Sequence, residues 1–147
     1  MVVHDKFHVV KYLNKGIDET RKQEVKTAPL LKKAKYLMLK SSENHTDRQR
    51  ARFEEINQAN LDTAKAWKMR ANFMGIYDCQ SKEEASAYFE RWKESVMKSN
   101  IEPMKKTAKT LSNFKEGIVN TVIYKITNGI AEGFNSKIQK LNTIANG

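Results

Sequence analysis

The apolar residues of this chain recur at intervals of three and four, and alternation with a period of two is almost absent. This spacing gathers apolar side chains on one face of a helix, whereas a half-buried strand requires alternation. Only two prolines and six glycines interrupt the 147 residues. The sequence therefore predicts a mainly α fold, with at most one short strand near the amino terminus.

Helix boundaries in the first half of the chain follow from caps and breakers. We expect a first helix from Phe7 to about Val25, and Pro29 ends any continuation because proline lacks the backbone donor. Thr46–Gln49 has the form of a capping box, in which Thr and Gln satisfy each other's exposed backbone groups. It predicts a long helix that continues to about Met74.

The second half repeats these signals. Ser81–Glu84 forms another capping pattern, and Pro103 suits the first turn of a further helix. Residues 118–126 are rich in β-branched side chains, but their apolar positions fit a helical face slightly better than alternation. The aromatic residues between these points have the spacing of a buried face rather than of a base-stacking platform: Tyr88, Phe89 and Trp92.

The charge balance indicates a polyanionic partner. Lysine and arginine contribute 27 residues against 17 acids, which gives a net charge of +10. Nucleic acid is the first candidate and an anionic membrane surface the second, although solvated lysine-rich helices have the same composition. Cys79 is the single cysteine, which predicts a reducing compartment. No apolar run approaches the roughly 20 residues that span a bilayer, so we expect a cytoplasmic protein.

A basic amphipathic segment covers residues 30–40. It carries the lysines Lys32, Lys33 and Lys35 beside apolar residues at helical spacing. The lysines can contact phosphates, or they can extend into water above a face that packs inward through Leu31, Leu37 and Met38. The sequence alone leaves both interpretations open.

The amino-terminal segment combines a short apolar pair with polar residues. Val2-Val3 has the composition of a strand end, and a lone strand would need partners upstream of Met1. The His4–His8 spacing is similar to the His-Glu-x-x-His helix of zinc proteases, but aspartate replaces the glutamate and a third ligand is absent from the sequence pattern. We expect instead that His8 lies at a strand-to-helix corner, with Asp5 as its hydrogen-bond partner or as the helix N-cap.

An unusual acidic motif lies near the carboxyl end, at residues 128–138. Glu132 is flanked by Gly129 and Gly133, which disfavour a helix by roughly 1 kcal/mol each relative to alanine. Such glycines allow close approach by a ligand, a metal or another backbone. The alternative is a helix whose first turn is glycine-rich and whose N-cap is Asn128.

Two segments together carry a family resemblance. The first is Asp5–Lys11 with Leu13 and Asn14, and the second runs from Ile126 through Glu132 to Ile138. In this order, separated by a helical block, they resemble the carboxyl-terminal part of bacterial insertion-sequence transposases of the ISL-three family. The same family's intervening helices are similar to residues 36–40, 43–44, 50–52 and 102–111.

The resemblance implies a ribonuclease-H-like catalytic domain interrupted by a helical insertion. Residues 1–28 would be its last strand and the following helix, residues 29–115 the insertion, and residues 116–147 the helix that bears the last acid, truncated at its end. Full-length members catalyse metal-dependent DNA cleavage and strand transfer with two aspartates and one glutamate, which hold divalent Mg or Mn ions. Glu132 would be the third acid and a metal ligand. Both upstream aspartates are missing here, so the resemblance implies a fragment that is inactive alone.

The resemblance also implies roles for neighbouring residues. Asn128, Gly129, Gly133 and Asn135 would support the site, and Lys11 and Lys137 would meet DNA phosphates. Asp5 and His8 would lie beside the metal site, with Asp5 as a direct ligand left open. The implied partners are the DNA ends of a mobile element, with homo-oligomerisation also open and no membrane. The alternative is a non-catalytic basic helical protein that binds DNA through lysines of residues 32–40 and 105–109.

Overall fold

The computed structural model describes residues 3–32, 34–59 and 61–124, and within these ranges the chain is mainly helical and contains no strand. This confirms the predicted mainly α class. Short 3-10 turns occupy Pro29–Leu31, Ser42–Asn44 and Met74–Asp78. The helices are α1 Lys6–Glu24, α2 Lys35–Leu39, α3 Asp47–Gln58, α4 Asp62–Phe73, α5 Lys82–Met97, α6 Glu102–Ser112 and α7, of which residues 115–124 are described.

Helix α1 is the centre of the packing. It contacts α4 on one side and α6 on the other, α2 also packs on it, and α5 covers α4 and α6. Its side chains Val9, Leu13 and Ile17 are completely buried, at the spacing that predicted the helix. Burying each such side chain stabilises the fold by roughly 1.5–3 kcal/mol. A Cβ on Gly16 would lie 2.5 Å from Thr107 Oγ1 on α6, so glycine permits this close approach.

The predicted caps form as expected. Asp5 accepts a hydrogen bond from the Phe7 N–H at 2.9 Å and is the N-cap of α1. Thr46 and Gln49 make the complete reciprocal capping box of α3. Ser81 caps α5 by accepting from the Glu84 N–H at 3.1 Å, while the Glu84 carboxylate accepts from Gln80 N–H. The aromatic stripe of α5 faces the core as predicted, with Phe89 and Trp92 buried and Tyr88 partly buried.

The prediction of a single long helix from Thr46 to about Met74 is wrong, because this segment folds as two helices. Helix α3 ends at Gln58 and α4 begins at Asp62. The first turn of α4 has no cap from its own N-cap residue, Leu61. Instead the Glu24 carboxylate, at the end of α1, accepts hydrogen bonds from the Asp62 N–H at 2.7 Å and from the Thr63 N–H at 2.9 Å. A carboxylate also favours the positive end of a helix dipole, so a distant side chain starts α4.

The short strand predicted at the amino terminus is also absent from the described residues. Residues 3–5 have no regular secondary structure, and Val2 lies outside the described ranges. The backbone of His4 bonds to a helix, α7, rather than to a strand. The β-branched composition at the start of the chain therefore does not produce a sheet within the part that the structure describes.

A buried arginine connects α4 to α1 and α2. Arg70 is only 7% exposed, and its Nη1 donates to Asn14 Oδ1 at 2.6 Å and to the Leu39 carbonyl at 2.8 Å. Its Nη2 donates to the Lys40 carbonyl at 3.1 Å. Burial lowers the pKa of Arg70, but a guanidinium still remains protonated at neutral pH. The arginine thus satisfies carbonyls that the end of the one-and-a-half-turn helix α2 cannot pair by itself.

Replacing Glu24 by alanine tests the distant cap. Glu24→Ala removes the acceptor of two backbone N–H groups of α4. It also removes the acceptor of the Thr63 hydroxyl, whose oxygen lies 2.7 Å from Glu24 Oε1. We expect the free energy of unfolding to fall by roughly 1–3 kcal/mol. Urea denaturation followed by circular dichroism measures this change. Gln23→Ala, at an exposed position beside it, is the matched control, and an equal loss in both variants would contradict the capping role.

Candidate functional site

The beginning of the chain is bonded to α7 across 117 sequence positions. The His4 N–H donates to the Gly117 carbonyl at 3.0 Å, and Thr121 Oγ1 lies 2.7 Å from the His4 carbonyl and 3.1 Å from His4 N. A Cβ on Gly117 would approach His4 N to 3.0 Å, so the absence of a side chain lets the two segments touch. We refer to His4, Tyr12, Phe114, Gly117 and Thr121 as the His4 corner.

Three nearly parallel rings line this corner. The imidazole of His4 stacks on Phe114, with ring centres 4.4 Å apart and planes 8° apart, and Tyr12 stacks on it at 6.2 Å. Burial lowers the pKa of His4, the neighbouring His8 lowers it further, and Asp5 partly offsets both. His4 Nε2 is buried without a hydrogen-bond partner among the described residues. The direction of this shift favours the neutral form of the His4 ring, because an imidazolium would have no acceptor for its buried Nε2–H.

The structure supports the N-cap interpretation of Asp5. One carboxylate oxygen caps α1, and the other lies 4.0 Å from His8 Nδ1. Both side chains are exposed, 65% for Asp5 and 60% for His8, so they can be reached from solvent at the mouth of the His4 corner. Burial raises the pKa of Tyr77, and the Asp5 carboxylate adds to this shift. The Tyr77 hydroxyl is buried, and the Lys6 ammonium lies 4.9 Å from the centre of the Tyr77 ring. The described geometry is thus that of a helix cap beside an exposed histidine.

The predicted DNA-contacting lysines that are described point outward. Lys11 is exposed on α1, Lys32 is exposed just before α2, and Lys35 is exposed at the first position of α2. The apolar side of the basic segment faces the core, as predicted, through Leu31, Leu37 and Met38. The segment is therefore amphipathic in the structure, and its cations are available to a partner.

The whole of the predicted acidic motif, residues 128–138, lies outside the described residues. This includes Glu132 and the residues predicted to support it: Asn128, Gly129, Gly133 and Asn135. Two of the predicted DNA-contacting lysines, Lys33 and Lys137, also lie outside the described residues. The structure does describe α7 up to Tyr124, eight positions before Glu132. The predicted proximity of Glu132 to Asp5 and His8 stays a prediction.

Sequence reasoning missed the contact between His4, Gly117 and Thr121. A usable signal was present, since Gly117 and Thr121 are one helical turn apart and share a face of small residues within an otherwise apolar segment. Such a face marks where another backbone can approach a helix. What it could not indicate was the identity of that backbone, which comes from the opposite end of the described chain.

Two kinds of site are absent from the described part of the chain. No group of three histidine, cysteine, aspartate or glutamate side chains there could hold a metal ion, and no helix is long and apolar enough to cross a membrane. A cavity of about 480 Å³ lies between α1, α4 and residues 39–43. Its lining combines apolar residues with the hydroxyls of Ser41 and Ser42 and the charged residues Lys6, Glu43 and Arg70.

Comparison with known proteins gives a family match over the whole chain. The model of the ISL-three (ISL3) family of DDE transposases, described as "Transposase", matches residues 1–147. The chain is 26% identical over 154 aligned residues to the transposase for insertion sequence element IS1001 of Bordetella parapertussis. That alignment covers 99% of this chain but only 38% of the relative. No solved structure matches.

Replacing Thr121 by valine tests the bond between the first residues and α7. Valine has nearly the same shape but leaves the His4 backbone without the hydroxyl that lies 2.7 Å from its carbonyl. We expect the free energy of unfolding to fall by roughly 1–3 kcal/mol. The control is Thr110→Val, whose hydroxyl bonds only to Lys106 O of its own helix. Indistinguishable urea midpoints for the two variants would argue against a stabilising role of the corner.

The lowered pKa of His4 predicts a specific loss of stability in acid. A histidine whose pKa is lower in the folded state stabilises the fold above about pH 6.5, the unfolded value, and this contribution disappears as the pH falls below it. His4→Phe keeps the stacked ring and should show a smaller drop in unfolding free energy between about pH 7.5 and about pH 5.5. His8→Gln, at an exposed ring, should keep most of the drop. A wild-type drop that persists in His4→Phe would assign the acid sensitivity to other groups.

Proposed function

Because the chain belongs to the ISL-three family of transposases, we propose that it supplies the carboxyl-terminal part of a DNA transposase, including the last acid of a DDE triad. The complete protein would cleave DNA at the ends of a mobile element and join those ends to target DNA. The chain spans about 38% of the curated relative, so the remaining acids would come from the upstream part of such a protein. The chain by itself would then be inactive in cleavage.

The observation that carries this proposal is the His4 corner. The two segments of family resemblance lie at opposite ends of the chain, and the backbone of His4, next to Asp5, bonds to the helix that precedes the Glu132 motif. The contact between His4 and α7 brings the two ends of the described chain together, and the residues between them fold into helices that pack on one another. A helical block inserted between the two segments would leave them side by side in this way.

The same contact supports a ribonuclease-H-like arrangement around a helical insertion. In this proposal, residues 29–115 are the insertion, and α7 continues towards Glu132 from residue 116. Helix α1, which belongs to the segment 1–28, packs directly on α4 and α6 of the insertion. It therefore anchors the helical body to the rest of the catalytic domain rather than only connecting to it.

The proposed chemistry assigns one task to this chain's carboxylates. Divalent Mg or Mn ions, once bound, would activate the attacking oxygen and stabilise the leaving oxygen of a phosphodiester. The described residues do not form that site, and Glu132 would contribute one carboxylate ligand to it together with two upstream aspartates. Asp5 keeps one oxygen on the α1 cap, and its other oxygen, 4.0 Å from His8 Nδ1, would face the edge of the site.

Substitution of Glu132 in a longer polypeptide that also carries the upstream acids tests the proposal. Glu132→Gln should lower strand transfer on element-end DNA by about 100-fold or more, since losing a metal ligand exceeds the 10–100-fold effect of losing a ligand's partner. Glu132→Cys should recover activity better with Mn²⁺ than with Mg²⁺, because the softer ion accepts a thiolate. Gel assays of joined products measure both.

The control for this experiment is Glu116→Gln, at an exposed carboxylate at the start of α7. It should leave strand transfer unchanged. Full activity of Glu132→Gln would overturn the assignment of Glu132 and favour the non-catalytic alternative. The same conclusion would follow if the isolated 147-residue chain and its Glu132→Gln variant bound DNA alike while the longer polypeptide showed no metal-dependent cleavage.

A further inference from the structure

Helices α2 and α3 lie side by side and are fastened at both ends. Arg52 Nη2 on α3 donates to the Lys32 carbonyl at 2.7 Å, and Lys40 Nζ donates to Gln49 Oε1 at 3.4 Å. Arg70, on α4, donates hydrogen bonds to the carbonyls of Leu39 and Lys40 at the end of α2. The outer surface of this helix pair is therefore held in a fixed position, partly by the Lys40 and Arg52 side chains and partly by Arg70.

This outer surface is strongly basic. We call it the α2–α3 face, and it consists of Lys32, Lys35, Tyr36, Lys40, Arg48 and Arg52. All of these residues are exposed except Arg52, which is half-buried against the Lys32 carbonyl. Since Arg48 and Arg52 are one helical turn apart on α3, they lie on the same side of that helix, beside α2.

The cations of the α2–α3 face are not neutralised within the described part of the chain. None of the five lies within 4.0 Å of a carboxylate there, whereas lysines elsewhere pair with acids on their own helices, for example Lys98 with Glu94 at 3.0 Å. The nearest acids in sequence are Asp47, which already pairs with Arg50 at 3.2 Å, and the exposed Glu43, Glu54 and Glu55. The surface thus keeps a positive potential suited to a row of phosphates.

An aromatic ring projects from the middle of this basic surface. Tyr36 is 75% exposed, more than any other large hydrophobic side chain in the described ranges. The ammonium of Lys35 lies 5.9 Å from the centre of its ring. Its neighbours Leu37 and Met38 are buried, so the short helix holds Tyr36 outward rather than hiding it. An exposed ring between cations is the arrangement on which unpaired nucleic-acid bases stack.

We propose that the α2–α3 face binds a DNA strand with unpaired bases. Its lysines and arginines contact the phosphates, and the Tyr36 ring stacks on one unpaired base. This rests on the proposed function only for the choice of DNA as the nucleic acid. It adds a DNA contact in the helical body that uses none of the residues of the acidic motif and does not depend on metal.

Fluorescence anisotropy with the 147-residue chain tests this proposal. The probes are a labelled single strand, the same strand paired with its complement, and vesicles that contain phosphatidylserine, all in EDTA. The variant Lys32→Gln/Lys35→Gln/Arg48→Gln removes three exposed cations that make no ion pair in the described structure. The matched control, Lys15→Gln/Lys82→Gln/Arg91→Gln, removes the same charge from exposed positions on α1 and α5.

The charge variants should differ in both affinity and salt dependence. Loss of three phosphate contacts should reduce the slope of log K against log salt by about 2, at about 0.7 per contact for a single strand. The control triple variant should keep most of the slope. Equal losses in the two triple variants would show that general charge, rather than the α2–α3 face, attracts DNA and would overturn the proposal.

Variants of Tyr36 test the stacking contact. Tyr36→Ala should weaken binding of the single strand by about 5- to 150-fold, which corresponds to the 1–3 kcal/mol of one stacked base, and should affect the duplex much less. Tyr36→Phe should restore binding, and Phe7→Ala, at another exposed ring, should have no effect. Unchanged affinity of Tyr36→Ala, or tighter binding to the vesicles than to either DNA probe, would overturn the proposal. Because the assay contains no metal, either result leaves the role of Glu132 to be decided separately.

Discussion

The buried guanidinium of Arg70 is the interaction on which much of this structure depends. A cation enclosed at 7% exposure is tolerated only when its donors are satisfied, and here they reach α1 through Asn14 and the end of α2 through two carbonyls. Removing one partner would leave a buried charge or unpaired carbonyls. The bond network therefore fixes where α2 lies on the α1–α4 pair and also sets the direction of its outer, basic surface.

Two further contacts, between residues that are far apart in sequence, also position helices around α1. Glu24 at the end of α1 starts α4, and His4 just before α1 holds α7. Both ends of α1 thus organise helices that are remote in sequence, while its middle packs against α6 at Gly16. A single helix of 19 residues sets the geometry of the helical body and connects it to the segment that precedes Glu132.

The parts of the fold that could be predicted depend on hydrogen bonds between residues that are close in sequence. Asp5, Thr46 and Ser81 act on N–H groups two or three residues away, so their caps were readable from the sequence. The break between α3 and α4 was not readable, because its cap comes from Glu24, 38 positions earlier. The His4 corner was not predicted for the same reason, because His4 and Thr121 are 117 positions apart in the sequence. For the candidate site, the family resemblance predicts Glu132, which lies outside the described residues. The exposed Tyr36 was assigned neither to the core nor to a partner, because its surroundings depend on how α2 packs.

The position of α1 at the centre of the core has a consequence for synthesis on the ribosome. Within this chain, helix α1 is synthesised before the helices that pack on it, and Thr107, against which Gly16 packs, follows about 90 positions later. At a translation rate of about 5–20 residues per second, α1 waits for roughly 5–18 seconds before α6 can cover it. During that time its apolar stripe of Val9, Leu13 and Ile17 has at most α2 and α4 as partners. The nascent chain is therefore most exposed to aggregation or chaperone binding through the very helix that later forms its centre.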